Sequence, residues 1–444
     1  MIDETKARSI IEPKILKGFR DFLPSMEIQK KAIITKLEEH FSLYGFVPIN
    51  TPVLEYTEVL LGKGGGETDK QIFHFKDNGD RDVALRFDLT VPFARFLAQH
   101  QNELALPFKR FHIDKVWRGE NPQKGRFREF TQCDFDIVGV DSAEADYEIL
   151  AMMDSSFALM GVSDYQFCIA HRGLFNAFLA HLEVEEKSVD ILRTVDKLRK
   201  IGEQEVVDLL QNITGSEEKA KKILSYITKE DASEPFLATL ERLSSLAGGE
   251  EEHTNRMKAI YHYLSEAGIE GHFTLDPSIT RGLDYYTGIV YETFLTEIPH
   301  FGSVCSGGRY NDLASLYTKE KLPGVGSSIG LDRLLSALEE LKSPILKDGS
   351  SAELVIFCLE ESLYSWYDSL ARQFRKQGIR TDVYLQQKKM PAQFKYAQTN
   401  NIVFGLTCGK EEHDQNRVTL KNLINREMHS MITIEEAISI IKRN

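Results

Sequence analysis

The sequence predicts an α+β fold built on an antiparallel sheet, interrupted by a helical insertion and followed by a smaller α/β domain. Two strand-like stretches, at 72–75 and 83–87, flank an Asn-Gly pair at 78–79, which is typical of a hairpin turn. From 173 to 271 the sequence has charged helical faces and few strand formers. Beyond 352, strand-like and helical stretches alternate, as they do in βαβ units.

The length of 444 residues favours two or three domains. We expect these segments in chain order: a first part of the core at 1–172, the helical insertion at 173–271, a second part of the core at 272–341, a linker at 342–351 and the C-terminal domain at 352–444. The net charge of −13 argues against indiscriminate binding of nucleic acid, but it leaves room for local basic patches.

The five cysteines lie far apart and form no Cys-x-x-Cys pair, which favours free thiols over disulfides or a zinc site. The N-terminal residues lack the apolar core of a signal peptide. No stretch approaches the roughly 20 apolar residues that span a bilayer. The sequence therefore predicts a cytoplasmic protein without a membrane segment.

An N-terminal helix is predicted from Ile33, Leu37 and Phe41, which recur at helical spacing, and Gly45 ends it. An extended segment with Pro48 and Pro52 follows. Since proline donates no hydrogen bond to a sheet, we expect this segment at a sheet edge or an interface.

A basic hairpin is predicted over 108–128, which holds seven Lys or Arg residues against Asp114 and Glu120. Two apolar arms enclose a polar loop with Pro122 and Gly125. Cations at fixed positions on strands suit a triphosphate, whose charge must be neutralised where the reacting groups meet. The alternative is a solvated basic hairpin without a ligand.

Gln132, Asp134 and Asp136 alternate along the next strand-like stretch, so they share one face. Three polar residues on one face of an apolar stretch either point to solvent or line a polar pocket. Asp88 and Thr90, at the end of the first hairpin, are by themselves no more than a helix cap.

The stretch from Arg281 to Gly288 combines an arginine, two glycines and the adjacent phenols Tyr285 and Tyr286, and the alternating tail 289–294 predicts a strand. Because neighbouring side chains of a strand point to opposite faces, we expect Arg281, Leu283 and Tyr285 to share one face and Tyr286 to lie on the other. The alternative is an aromatic strand in a core.

Further along, Ser306–Tyr310 and 323–335 are rich in small residues, which let a flat group approach the backbone. The helix that begins near Gly330 has a leucine face and leaves Arg333 on its other side. In the C-terminal domain, the stretch from Arg372 to Lys395 holds seven Lys or Arg residues and one acid, which predicts a contact with RNA.

Taken in order, these motifs resemble those of class II aminoacyl-tRNA synthetases. The N-terminal helix with its extended segment resembles the first motif, Arg118-Gly-Glu120 with its loop and aromatic resembles the second, and 323–335 resembles the third. Arg281–Gly288 and Ser306–Tyr310 resemble the strings that distinguish histidyl-tRNA synthetases. The C-terminal domain resembles that family's anticodon-binding domain.

The resemblance implies a class II synthetase fold and a homodimer formed through the first motif. It implies that L-histidine is activated with ATP, releasing pyrophosphate, and then passed to the 3′ end of histidine tRNA. ATP would be a substrate accompanied by Mg²⁺, with neither a tightly bound cofactor nor a metal site built from protein ligands alone.

For the nucleotide, the resemblance implies that Arg118 holds the α-phosphate, Arg126 the terminal phosphates, and Glu120 helps to fix ATP. Phe130 and Arg333 would enclose the adenine. Arg281 would bridge the histidine carboxylate and the α-phosphate, which makes Arg281 and Arg118 the candidate catalytic residues.

For histidine, the resemblance implies that Asp88, Thr90 and Gln132 bind the α-amino group. Asp136 and Tyr286 would read the ring nitrogens, with Tyr285 in the same pocket.

Three alternatives stay open at this level. A regulatory paralogue would keep the fold without binding tRNA, but such proteins lack the C-terminal domain that this chain has. A tRNA-sensing domain without catalysis is disfavoured by Arg118, Arg281 and Arg333. A synthetase for another amino acid is disfavoured by Arg281–Gly288.

Overall fold

The computed structural model describes residues 11–62, 71–229, 231, 233–279, 285–343, 345–346, 349–350 and 352–443. It divides the chain into two compact units. The first unit comprises the described residues up to Arg20 together with Ile34–Ile345, and the second comprises Asp21–Ile33 and the described residues from Leu346 onward. The predicted linker at 342–351 thus contains the division, whereas the grouping of Asp21–Ile33 with the C-terminal residues has no sequence signal.

The strands of the first unit run in chain order as follows: β1 (Val47–Pro48), β2 (Leu54–Tyr56), β3 (His74–Lys76), β4 (Asp82–Leu85), β5 (Phe108–Trp117), β6 (Glu129–Val138), β7 (Tyr165–His171), β8 (Phe273–Leu275), β9 (Ile289–Leu295), β10 (Cys305–Tyr310) and β11 (Gly324–Gly330). Strands β2–β4 form a small antiparallel sheet that contains the predicted hairpin. The other strands form an eight-stranded sheet in the order β1-β5-β6-β11-β10-β9-β7-β8. Its pairs are antiparallel except β1–β5 and β7–β8, and β1, with Pro48, lies at the predicted sheet edge.

The helices are α1 (Pro24–Leu43), which contains the division between the units, then α2 (Thr57–Leu61), α3 (Thr90–His100), α4 (Ala143–Leu159), α5 (Arg172–His181), α6 (Ser188–Val195), α7 (Leu198–Ile201), α8 (Glu203–Thr214), α9 (Glu217–Ile227), α10 (Phe236–Leu246), α11 (Glu252–Glu266) and α12 (Leu331–Glu340). Helices α5–α11 lie between β7 and β8, in the stretch that the sequence assigns to a helical insertion. No helix among the described residues is long and apolar enough to cross a bilayer.

Strand β6 lies at the centre of the large sheet, between β5 and β11. Its residues from Thr131 to Val138 are all buried, and Gln132, Asp134 and Asp136 alternate along it as predicted. Asp136 is opposite Gly326 of β11, where a Cβ atom would collide with the Asp136 carboxylate. Glycine at position 326 is therefore required by the close approach of the two strands.

Helix α12 packs on the sheet through its leucines, as the sequence predicts, since Leu331, Leu334, Leu335 and Leu338 are all buried. Its Asp332 accepts a hydrogen bond from the backbone nitrogen of Thr131 at 2.5 Å, which fastens the helix to β6. Arg333, on another side of the helix, is partly buried.

Helix α11 of the helical stretch is held to α4 by charge. The Nε atom of Arg256 lies 2.7 Å from a carboxylate oxygen of Asp146, which is fully buried. The other oxygen of Asp146 lies 2.8 Å from Nε of Arg309 on β10. One buried carboxylate therefore joins the helical stretch, α4 and the sheet.

One strand prediction is corrected. Thr280–Asp284, which include the predicted Arg281, lie outside the described residues. The tail forms β9 as predicted, but this strand begins only at Ile289. The backbone nitrogens of Thr287 and Gly288 both approach the carbonyl oxygen of Arg309, at 2.8 and 3.4 Å. These shared bonds replace the regular ladder, so the expected division of Tyr285 and Tyr286 between two strand faces is wrong.

The second unit contains a five-stranded sheet in the order β13-β12-β14-β15-β16. Its strands are β12 (Leu354–Ile356), β13 (Thr381–Val383), β14 (Phe404–Thr407), β15 (Val418–Asn422) and β16 (Met428–Ile432), and its helices are α13 (Tyr364–Lys376), α14 (Met390–Thr399), α15 (Lys410–Asp414) and α16 (Ile434–Lys442). Strand β12 pairs in parallel with both β13 and β14, as predicted for βαβ units. Tyr367, Leu370 and Phe374 of α13 are fully buried in the core of this unit.

Candidate active site

A cavity of about 180 Å³ opens on the face of the large sheet. Its walls combine cationic, aromatic and small side chains, which suit a ligand that has both anionic groups and a flat ring. The lining residues with predicted roles are Arg118, Glu120, Arg126, Phe130, Gln132 and Arg333. Ser303, Ser306, Ser328 and Gly330 add small residues to the same walls.

Arg118 stands just after the end of β5, where its backbone nitrogen donates to the carbonyl oxygen of Arg128 across the hairpin. Its Nε donates to the carbonyl oxygen of Phe87 at 2.9 Å, and its guanidinium carbon lies 5.2 Å from the centre of the Phe130 ring. No described residue forms a hydrogen bond with the two terminal nitrogens of Arg118. The side chain is therefore fixed at its inner end while its charged end stays available to an anion.

The loop between β5 and β6 carries the second cation of the cavity. Arg126 lies 3.5 Å from the carboxylate of Glu120, in a half-buried pair whose long separation makes it weak by itself. Gly125 has a φ of +73°, and a Cβ there would lie 2.8 Å from the Phe301 ring. Glycine thus lets the loop close onto Phe301, whose carbonyl oxygen accepts a hydrogen bond from Arg333.

Beside the cavity, β6 presents buried carboxylates. Asp136 lies 2.7 Å from Nη2 of Arg110 on β5, and it accepts a hydrogen bond from the Tyr310 hydroxyl. Asp136, Arg110 and Tyr310 are all at most 3% exposed. A buried carboxylate with a guanidinium and a phenol as partners is held rigidly.

Asp134 and Asp88 are also buried but lack a cationic partner at bonding distance. Thr90 donates to Asp134 at 3.4 Å, and the backbone nitrogen of Val91 donates to Asp88 at 3.0 Å. Burial raises the pKa of Asp88 to about 6 and that of Asp134 to about 7, against the weaker opposing effects of nearby Arg110 and, at Asp88, Arg118. Both carboxyls thus titrate near neutral pH.

Gln132 connects the two regions. Its Nε2 donates to the hydroxyl of Ser328 at 2.8 Å, and both residues line the cavity. Ser328 is opposite Asp134 across β6 and β11, and its hydroxyl lowers the pKa of Asp134 against the effect of burial. The cavity and the buried carboxylates therefore share a wall.

Two tyrosines close this side of the site. The rings of Tyr285 and Tyr286 lie 4.9 Å apart, and Tyr285 is 5.9 Å from Tyr310. Burial raises the pKa of both Tyr285 and Tyr286, and nearby carboxylates including that of Asp88 add to this effect. Both phenols therefore stay protonated and can donate hydrogen bonds.

The structure brings together the predicted residues in two adjoining groups. Arg118, Glu120, Arg126, Phe130, Gln132 and Arg333 surround the cavity. Asp88, Thr90, Asp136, Tyr285 and Tyr286 belong to the carboxylate region. Arg281, the remaining candidate, lies outside the described residues.

Sequence reasoning missed the role of Arg110. The sequence indicates only that Arg110 is one of the basic residues of the hairpin, whereas the structure places its guanidinium against Asp136 and over the Phe93 ring at 4.2 Å. Arg110 and Asp136 are cross-strand partners on β5 and β6, so the register of the hairpin is the only sequence signal. Arg309, in a string that resembles the histidine-specific motif, bonds instead to Asp146.

Comparison with known proteins gives the same result along the chain. The family model for histidyl-tRNA synthetase matches residues 18–334, and the anticodon binding domain matches residues 353–444. The histidine–tRNA ligase of Treponema denticola is 53% identical over 94% of this chain and 95% of its own length. That of Wolinella succinogenes is 41% identical over 98% of this chain and 99% of its own length.

A solved structure supports the fold as well. The crystal structure of histidyl-tRNA synthetase from a Nostoc species superimposes with a TM-score of 0.86 and 32% identity, covering 98% of this chain and 100% of the other. The matched motifs, the cavity that they line and the relatives in sequence and structure agree, and the chain belongs to the histidyl-tRNA synthetase family.

Proposed function

We propose that this chain is a histidine–tRNA ligase, which activates L-histidine with ATP and transfers it to the 3′ end of histidine tRNA. One observation carries the proposal for the chemistry. A cavity lined by Arg118, Arg126 and Arg333 shares a wall, through Gln132 and Ser328, with a region of buried carboxylates. Cationic groups for a nucleotide and polar groups for an amino acid thus adjoin each other.

The first step joins two anions. The histidine carboxylate attacks the α-phosphorus of ATP, an oxygen–phosphorus bond forms, and pyrophosphate leaves with the electrons of the broken bond. Arg118, anchored on the Phe87 carbonyl, would hold the α-phosphate, and Arg281 would bridge it to the carboxylate. Preorganised guanidinium groups offset the repulsion between the anions and the charge that develops at phosphorus.

The rest of the nucleotide would be held by the cavity walls. Arg126, with Glu120 beside it, would bind the terminal phosphates, and Phe130 and Arg333 would enclose the adenine by stacking. Mg²⁺ would arrive with the phosphates of ATP. Among the described residues, no group of three or more His, Cys, Asp or Glu could hold a metal ion.

The amino acid would lie on the carboxylate side. Asp88, Thr90 and Gln132 would bind its α-amino group, and Asp136 and Tyr286 would read its ring nitrogens, with Tyr285 beside them. Arg110 and Tyr310 support the reading role of Asp136, because they fix its carboxylate in one orientation. A site that hydrogen-bonds both ring nitrogens rejects analogues that would leave its polar groups unpaired.

The test of the function is aminoacylation. Purified protein, ATP, Mg²⁺ and radiolabelled histidine should give acid-precipitable label on histidine tRNA, and omission of ATP should abolish it. If an intact, folded preparation charges no tRNA with histidine, the proposal is contradicted.

We place the anticodon contact on the basic stretch from Arg372 to Lys395, whose seven cations are all exposed. Lys388, Lys389 and Lys395 form no ion pair with any residue in the described parts of the chain, so they are available to phosphates. Changing these three to Gln should raise the KM for tRNA about tenfold and lower its salt dependence, because released counterions drive such binding. Histidine-dependent pyrophosphate exchange should stay near wild type.

A matched control is Lys410→Gln, which removes one exposed lysine at the start of α15. It should affect the KM for tRNA less than any single change in the stretch. Loss of exchange together with charging in the triple variant would indicate a folding defect and remove this stretch from the account.

We further propose a homodimer formed through the first motif and a cytoplasmic location. Large apolar side chains are exposed around this motif: Leu43 is 83% exposed, and Val47, Val53, Leu54 and Tyr56 are 37–51% exposed. Such a patch indicates a protein interface. Sedimentation equilibrium should give a particle mass of twice the 50.6 kDa of one chain.

All five cysteines are free and buried, which suits the reducing compartment that we propose.

A further inference from the structure

Three buried acceptor atoms near the shared wall have no donor within hydrogen-bond geometry among the described residues, although the Ser328 hydroxyl lies near enough to Asp134 to lower its pKa. They are Oδ2 of Asp88, Oε1 of Gln132 and Oδ1 of Asp134. Buried acceptors normally have donors, so three without one in a small region indicate a ligand that supplies them.

The three residues are close neighbours in the fold. Gln132 and Asp134 share one face of β6. Thr90 donates to the second oxygen of Asp134, and Asp88 precedes Thr90 by two residues. The charge on Asp88 adds to the rise in the pKa of Asp134, which requires the two carboxyls to be near each other.

Two of the buried carboxylates in this region can each accept a cationic ligand. Asp136 already has Arg110 and the Tyr310 hydroxyl as partners. Arg118 donates to the Phe87 carbonyl and faces the nucleotide cavity. Asp88 and Asp134 are therefore two carboxylates without an ion pair to any described residue.

We propose that Asp134 is a direct ligand of the α-ammonium group of histidine, and that it completes a set of three acceptors with Asp88 and Gln132. A primary ammonium has three N–H donors and no acceptor, which matches this set. A neutral imidazole has only one donor and also needs a donor in return. This inference rests on the proposed function and adds a charged residue to the amino-acid site.

The affinity of this site for an ammonium group should depend on pH, because its carboxyls titrate. The pKa of Asp134, raised by burial to about 7, is also influenced by Arg110 on β5, Asp136 on β6, Asp88 before α3 and Ser328 on β11. Tyr286, Cys305 and His112 are further titratable neighbours among the described residues. Burial raises the pKa of Tyr286 and of Cys305 and lowers that of His112 to about 3, so all three are uncharged here. A bound ammonium favours the ionised carboxyls, so affinity for the ammonium should rise between pH 6 and pH 8.

The test uses two analogues that differ only in the amine: histidinol, and 3-(imidazol-4-yl)propan-1-ol, which lacks it. Their Kd values are measured by calorimetry on the full chain, for wild type, Asp134→Asn and the matched control Asp136→Asn. Asp134→Asn should raise the Kd of histidinol about tenfold or more, since a charged hydrogen bond is lost. It should change the Kd of the amine-free analogue by less than about twofold. Asp136→Asn should weaken both analogues by a similar factor.

Equal weakening of both analogues by Asp134→Asn, or no weakening of either, overturns the inference. Wild type alone gives a second measurement if the variant fails to fold. The ratio of its two Kd values, corrected for the ring ionisation of each free analogue, should shift toward histidinol between pH 6 and pH 8, and a constant ratio overturns the inference. If the chain charges tRNA with histidine but fails these binding tests, the proposed function stands and the inference about Asp134 falls. If the wild-type chain neither charges tRNA nor binds histidinol, both the proposed function and the inference are contradicted.

Discussion

Arg118→Ala should slow histidine-dependent ATP–pyrophosphate exchange by about 10²–10³-fold, measured as kcat. The side chain lines the nucleotide cavity, its inner nitrogen is fixed on the Phe87 carbonyl, and it adjoins the Phe130 ring. Removing one preorganised donor to a developing negative charge typically costs this much.

Arg281→Ala removes the second guanidinium proposed to bind the same phosphate. In the same exchange assay, this variant should lose roughly 1.5–3 kcal/mol of transition-state stabilisation.

The matched control is Lys115→Ala, on β5 three residues before Arg118. Lys115 is 51% exposed and pairs with Glu129, so it should contribute little to stability or rate. Exchange by Arg118→Ala within about threefold of wild type would remove Arg118 from the phosphate-binding role.

Arg309→Ala should destabilise the chain by about 3–5 kcal/mol, which lowers the midpoint of thermal unfolding by several degrees. Arg309 and Asp146 are 1% and 0% exposed, and their atoms lie 2.8 Å apart. Removing one partner of a buried pair leaves the other charge without adequate compensation. Calorimetry of the full chain measures the shift.

Arg256→Ala is the comparison for this variant, because Arg256 contacts the same carboxylate but is 20% exposed. Asp146 keeps Arg309 in that variant, so the loss of stability should be clearly smaller. If Arg309→Ala unfolds at the wild-type temperature while its exchange activity falls, Arg309 acts in the site instead of in the core.

Alternation and turn chemistry predicted the parts of the fold that depend on neighbouring residues. The Asn-Gly hairpin, the shared face of Gln132, Asp134 and Asp136, and the leucine face of α12 are all present. The proline-containing segment lies at the edge of the large sheet, because a residue without an N–H is tolerated there. Each of these features is set within a few residues of sequence.

The parts that could not be predicted depend on register between distant segments. Arg110 meets Asp136 only because the β5–β6 hairpin pairs those two residues. Arg309 bonds to Asp146, which is 163 residues away, so a string that resembles a binding motif contains a residue of the core. Tyr285 and Tyr286 precede β9, because Thr287 and Gly288 bond to one carbonyl and delay the start of the ladder.

We infer that guanidinium groups and an imidazole-binding site converge on one reaction. Pyrophosphate exchange with each of the twenty amino acids in turn tests it most directly, since exchange requires the aminoacyl-adenylate alone. Label should enter ATP only when histidine is present. Equal exchange with threonine or proline would contradict the account.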